Sequence, residues 1–176
     1  MSDLLPSPWQ AVGPQFFLLY ALATAVLCIA VQRVKHFSLA YAMTAIHLLL
    51  TFGIAAVIYK LGFGFDAFVH RTTEDWILTH GFILPKQPYY IGQYALVAAL
   101  AHLTRLSIFF IDVWLVPILA ALLLPGTVVY SLHARWKISL SHGLLLTWLI
   151  PFVPFFSFHL TTPFNLALLL GFITIL

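Results

Sequence analysis

Long apolar runs alternate with short polar breaks along the whole chain. A membrane-spanning helix needs about 20 mostly apolar residues, and several runs approach that length. The first covers residues 14–31 and closes on Arg33, Lys35 and His36. The second covers 38–59, contains no Asp, Glu, Lys or Arg, and closes on Lys60. Residues 61–88 form the one long polar segment. A short third run (89–104) leads to Arg105, and a fourth (108–132) carries Asp112 near its start and Pro117 and Pro125 inside. A kink is expected at those prolines, which membrane helices tolerate. The fifth run (138–156) follows a basic turn of His133, Arg135 and Lys137, and Pro151 and Pro154 loosen its end. The last (164–176) reaches Leu176 with no flanking charge, and thirteen helical residues rise only about 20 Å. That abrupt end predicts that the chain is the N-terminal part of a longer membrane protein, completed by a missing remainder or a partner subunit.

Composition turns this pattern into a fold class. Of 176 residues, 62% are hydrophobic and only 7% charged, where a soluble domain carries roughly 25%. Mean hydropathy is +1.04. So few charges cannot cover a water-facing surface, and disorder is excluded by the same numbers. The expected fold is all-α: one polytopic transmembrane domain over 1–176, with about five to six transmembrane helices and one amphipathic interfacial helix in the 61–88 loop. Eight Lys and Arg oppose five Asp and Glu, but no basic run exists, so nucleic acid is not an expected partner. The single Cys28 excludes an internal disulfide. If every run crosses, the turns after the first, third and fourth carry two, one and two Lys or Arg. They alternate sides, three against two, and the positive-inside rule does not decide the orientation.

Six of the thirteen charges lie between Lys60 and Lys86, which marks this loop for chemistry. Residues 62–81 read as a short helix. Phe65, Phe68, Val69, Thr72 and Trp76 make one face, and Asp66, His70 and Glu74 make another. Arg71 and Asp75 stand at i, i+4, suited to an ion pair. Gly81 ends the helix well. Lying in the interface, it would dip its aromatics toward lipid and present Asp66, His70, Glu74 and Asp75 to water or to a lipid headgroup. A carboxylate within reach of a hydroxyl can deprotonate it, and Arg or Lys can hold a phosphate. Asp66, His70 and Glu74 also share a face that admits a divalent cation, but no tight metal-ligand spacing accompanies them, and no cofactor is expected.

The run from Gly64-Phe65-Asp66-Ala67-Phe68 to Tyr89-Tyr90-Ile91-Gly92-Gln93-Tyr94 resembles the first large loop of GT-C-type membrane glycosyltransferases. Pro151-Phe152-Val153-Pro154-Phe155-Phe156-Ser157 and Thr162-Pro163-Phe164-Asn165-Leu166 add to the likeness, which covers roughly 38–176. The resemblance implies sugar transfer from a polyprenyl-phosphate donor to a hydroxyl acceptor, with inversion, in a multi-pass protein of the cell membrane whose 61–88 loop is extracytoplasmic. By position, Asp66 would be the general base, with Glu74 and Asp75 as a second acidic pair. His70, Arg71, Lys86, Tyr89 and Tyr90 would bind the substrates, and Arg71 or Lys86 would steady the leaving phosphate. The expected partners are the lipid-linked donor and membrane lipids.

A reading from another class is a non-enzymatic membrane subunit or transporter-like protein that binds lipid or scaffolds partners. A transporter calls for midplane polar groups and an internal repeat. His47, with Thr44 and Thr51 beside it, is the one histidine near the middle of an uncharged span, and no repeat is evident. Asp112 and Arg105 flank the turn before the fourth run and suit an interfacial ion pair.

Overall fold

A computed structural model describes residues 7–59, 62, 67–82, 90–153 and 157–176, and all regular structure among them is helical. The helices are α1 (Pro8–Ala11), α2 (Pro14–Arg33), α3 (Phe37–Phe52), α4 (Ile54–Ile58), α5 (Ala67–His80), α6 (Ile91–Thr104), α7 (Ile108–Trp136), α8 (Leu140–Thr147) and α9 (Pro163–Ile175). Two of them, α2 and α7, are long and apolar enough to cross a membrane. Local chemistry sets several boundaries. Ser107, Ser139 and Thr162 cap the following helices through their hydroxyls. The second apolar run breaks at Gly53, where a Cβ would meet the Leu49 carbonyl at 2.6 Å and the Trp114 ring at 2.8 Å. The fifth run stops early, and a 3-10 turn at Ile150–Phe152 follows α8.

Helix α7 is the axis of the bundle. Antiparallel α3 lies along it: the Tyr41 hydroxyl donates to the Leu122 carbonyl near one end, and Gly53 meets Trp114 near the other. Lys137, at φ 56°, turns the chain back into α8. At Pro117 the helical ladder loses a donor, and the neighbouring Val116 N–H donates to Thr161 Oγ1 at 3.1 Å. From there α9 runs beside α7 until Ser131 Oγ donates to the Leu176 carbonyl at 2.6 Å.

This path gathers the ends of α2 and α7 and the starts of α3 and α8 at one end of the bundle. Lys35, Phe37, Leu140 and Ser141 line one groove there. The third apolar run becomes α6. The start of α6 is bonded to α5, which pairs with Asp112 near the start of α7, and the end of α6 adjoins the same first turns of α7. So α6 stays at the opposite end, and the turns after α2 and α7 share a face instead of alternating. The reason is local: Arg105 takes a left-handed conformation (φ 63°) and folds α6 back on α7 within three residues.

The bundle has an aliphatic core with polar groups set into it, and an apolar outside. Thr44, His47, Thr51, Gln93, Asp112, Ser131, Thr147 and Asn165 are buried among Leu48, Val116 and Leu124, while Leu19, Val26, Ile46, Leu103 and Phe152 are exposed. Only Val31 of α2 is buried, and that helix is held by hydrogen bonds. The Tyr20 hydroxyl reaches Thr51 Oγ1 at 2.6 Å, and Thr51 donates to the His47 carbonyl at 3.0 Å. His47 Nε2 lies 3.1 Å from Thr24 Oγ1, which donates to the Tyr20 carbonyl at 2.8 Å. With both threonine protons committed, Tyr20 and His47 are the donors across the interface.

Tyr20→Phe combined with Thr24→Val removes both links. At about 0.6 kcal/mol per interhelical bond, the pair is expected to cost roughly 1 kcal/mol and lower the thermal midpoint of the detergent-solubilised protein. Leu22→Ala, on the exposed face, leaves that midpoint nearly unchanged.

Candidate functional site

Helix α5 ends as its sequence suggests. Gly81 adopts φ 77° and its N–H bonds the Ile77 carbonyl at 2.8 Å. Part of its polar face turns toward the bundle instead of toward water. Glu74 is 0% exposed, and His70 and Thr73 are also buried, while Phe68, Val69, Trp76 and Leu78 face outward. Polar groups on α6 and α7 draw the polar face inward, because a buried ionisable group needs a partner far more than an apolar side chain needs burial.

The contacts of that face form one cluster. Gln93 Nε2 donates to Glu74 Oε1 at 3.2 Å. His70 Nδ1 and the Tyr94 hydroxyl lie 2.9 Å apart, with the edge of the Tyr90 ring against the imidazole. Arg71 Nε lies 3.7 Å from Asp112 Oδ2, and its guanidinium covers the Phe109 ring at 4.4 Å. Burial, and secondarily the charge of Asp112, push the Glu74 carboxyl up to about 8, against the opposing pull of Gln93 and Arg71. Glu74 is therefore mostly protonated at neutral pH. Among the described residues, Glu74 Oε2, Gln93 Oε1 and Asp112 Oδ1 are buried without a hydrogen-bond partner.

Asp112 also lines a cleft with Ala55, Ala56, Gly62, His159 and Thr161. It therefore connects the cluster to a small cavity of about 20 Å³, room for about one water. Burial lowers the His159 pKa and keeps the imidazole neutral. A carboxylate held by an arginine, beside a neutral imidazole, can accept a proton and bind a polar ligand.

The expected residues separate into three groups. His70, Arg71, Glu74 and Tyr90 come together. Asp75 is exposed on the far side of α5, so Arg71 pairs with Asp112 instead of Asp75, and Arg105 is not the partner of Asp112. Phe65, Asp66, Lys86 and Tyr89 lie outside the described residues. Asp112, Gln93 and His159 were not expected at the site. For Asp112 a signal existed: an acidic residue inside an apolar run marks function by default. Among the described residues no three His, Cys, Asp or Glu converge on a metal position.

Comparison with protein-family models, curated proteins and solved structures gives no match for this chain. The site is defined by its own geometry.

A carboxyl whose folded pKa lies above an ordinary 4.5 binds its proton more tightly when folded. The contribution of Glu74 to stability is then greatest below pH 4.5 and declines as pH rises toward 8. Glu74→Gln should flatten this part of the pH–stability curve, measured by thermal unfolding in detergent. A curve that keeps its slope in the variant would assign the proton to another group.

Proposed function

We propose that this protein is a multi-pass membrane transferase that moves a sugar from a polyprenyl-phosphate donor to a hydroxyl acceptor at the end of the bundle formed by α5 and α6. The reading assigns five passes (α2, α3 with α4, α7, α8 with its 3-10 turn, and α9), with α6 as a local helix. The single observation that carries it is the Asp112–Arg71 pair beside a cleft, with Glu74 completely buried next to it. Ionisable groups at membrane depth are costly and persist where chemistry uses them.

In this mechanism the acceptor oxygen attacks the anomeric carbon and the bond from that carbon to the donor phosphate oxygen breaks. The hydroxyl proton passes to Asp112, and the phosphate departs with its added charge toward Arg71. Glu74, held by Gln93, lies close enough to Arg71 to feel its charge, and His70 with Tyr94 fixes α5 on α6. Lys86 and Tyr89 keep the substrate-binding roles that the glycosyltransferase resemblance implies for them, while Asp112 takes the general-base role that the resemblance implies for Asp66.

Orientation follows from the turns. Arg33, Lys35, Arg135 and Lys137 lie in two short turns at one end, whereas Arg105 is the lone Lys or Arg in the described short turns at the other. The positive-inside rule favours a cytoplasmic basic end and an extracytoplasmic α5, in the cell membrane. One observation also suits a scaffolding subunit: the Glu74–Gln93 and His70–Tyr94 bonds clamp α5 to α6 without any substrate.

In membranes containing the protein, supplied with a radiolabelled polyprenyl-phosphate sugar, Asp112→Asn should lower transfer by about 100-fold or more, and Asp75→Asn should leave it unchanged. Full transfer by Asp112→Asn would remove Asp112 from the chemistry, and no transfer by the unaltered protein would favour the scaffold. In a Cys28→Ala background, Lys35→Cys and Lys137→Cys should label from the cytoplasmic side of sealed vesicles and Thr79→Cys from the opposite side.

A further inference from the structure

Two features coincide at the basic end. Arg33, Lys35, Arg135 and Lys137 are joined there by His36, His133 and His142, whereas the acidic residues among those described (Glu74, Asp75 and Asp112) lie on α5 or in the first turns of α7. Between the turn after α2 and the start of α8 runs an apolar groove. Val31 and Leu144 form its buried floor, Val34, Phe37 and Leu140 its walls, and Lys35 and Ser141 supply its polar groups. Lys35 is exposed, and neither Lys35 nor Arg33 has an ion pair among the described residues.

We propose that this groove is a binding site for one anionic phospholipid of the surrounding bilayer. Its phosphate would lie against Lys35 and Ser141, with Arg33 and Lys137 adding to the positive field, and one acyl chain would fill the channel between α2, α3 and α8. Charge complementarity selects this occupant. The groove has an apolar body for a chain and a cation beside it for a phosphate, which is how basic pockets between membrane helices take anionic headgroups. A second copy of this chain would bring the same positive end, which repels it. A free phosphate would leave the apolar walls uncovered. The bound lipid would also join α2, which has little buried contact of its own, to α8.

The inference rests on the membrane reading and is independent of the transferase chemistry. The test uses the full chain reconstituted in phosphatidylcholine vesicles, with trace phosphatidylglycerol brominated on its acyl chains as a quencher of tryptophan fluorescence. Reconstitution in phosphatidylcholine alone reports on the membrane reading, and a failure there separates that error from an error about the groove. In the mixed vesicles the expected result is stronger quenching by brominated phosphatidylglycerol than by brominated phosphatidylcholine. That preference should fall about fivefold for Lys35→Gln and further for Lys35→Gln with Arg33→Gln. Arg105→Gln, at the other end, should leave it intact. Val34→Trp, which fills the groove and keeps every charge, should also abolish it. Three outcomes overturn the proposal: equal quenching by both lipids, an equal loss in Arg105→Gln, or displacement by inorganic phosphate at matched ionic strength.

Discussion

Asp112 occupies the first turns of a 29-residue apolar helix, and much of the architecture at that end answers to its charge. A carboxylate removed from water costs several kcal/mol unless a partner of opposite sign stands against it. Arg71 is that partner, and to reach Asp112 the helix α5 must lie with its polar face inward. His70 and Glu74 are carried in by the same rotation and need partners themselves, which Tyr94 and Gln93 on α6 provide. The position of α6 thus follows from α5, and that of α5 from one aspartate. The pairing is incomplete: Asp112 Oδ1 and Glu74 Oε2 keep open valences among the described residues. An unfinished set of buried hydrogen bonds is expensive in a protein that gains nothing from it, and this is why the cluster reads as a site.

The overall plan was readable in the chain and the site only in part. Helix positions followed apolar run length, and the end of α5 followed Gly81. The inward face of α5 was misread because amphipathicity reports which residues share a side, not which side meets protein. In a water-soluble helix the polar side faces out. Where the surroundings are apolar the same periodicity permits the opposite, and only the partners on α6 and α7 decide. Arg71 illustrates the point. Asp75 at i+4 is near in sequence, but Asp112 is more deeply buried and has the greater need of a cation. The course of α6 was likewise hidden, since fourteen mostly apolar residues suit a tilted short span or a local hairpin equally well.

That single difference in α6 changes the meaning of the charges. With every run counted as a crossing, the basic turns oppose one another and nearly cancel. With α6 kept at one end, the turns after α2 and α7 combine. Among the described residues the charges at one end are then all basic, and the opposite end holds Glu74, Asp75 and the Asp112–Arg71 pair. In the proposed reading the two ends take different tasks, recognition of an anionic headgroup at one and proton chemistry at the other.

The ring of bonds between α2 and α3 has a mechanical consequence. The outward residues of α2, among them Leu18, Leu22, Val26 and Ile29, form a smooth aliphatic surface that by itself would permit sliding along the helix axis. Tyr20 and Thr24 are one turn apart and engage Thr51 and His47, also one turn apart. A slip of one turn, about 5.4 Å, would break both links together and offer no equivalent pair. The four side chains act as a detent, giving α2 one stopping point on an otherwise featureless track.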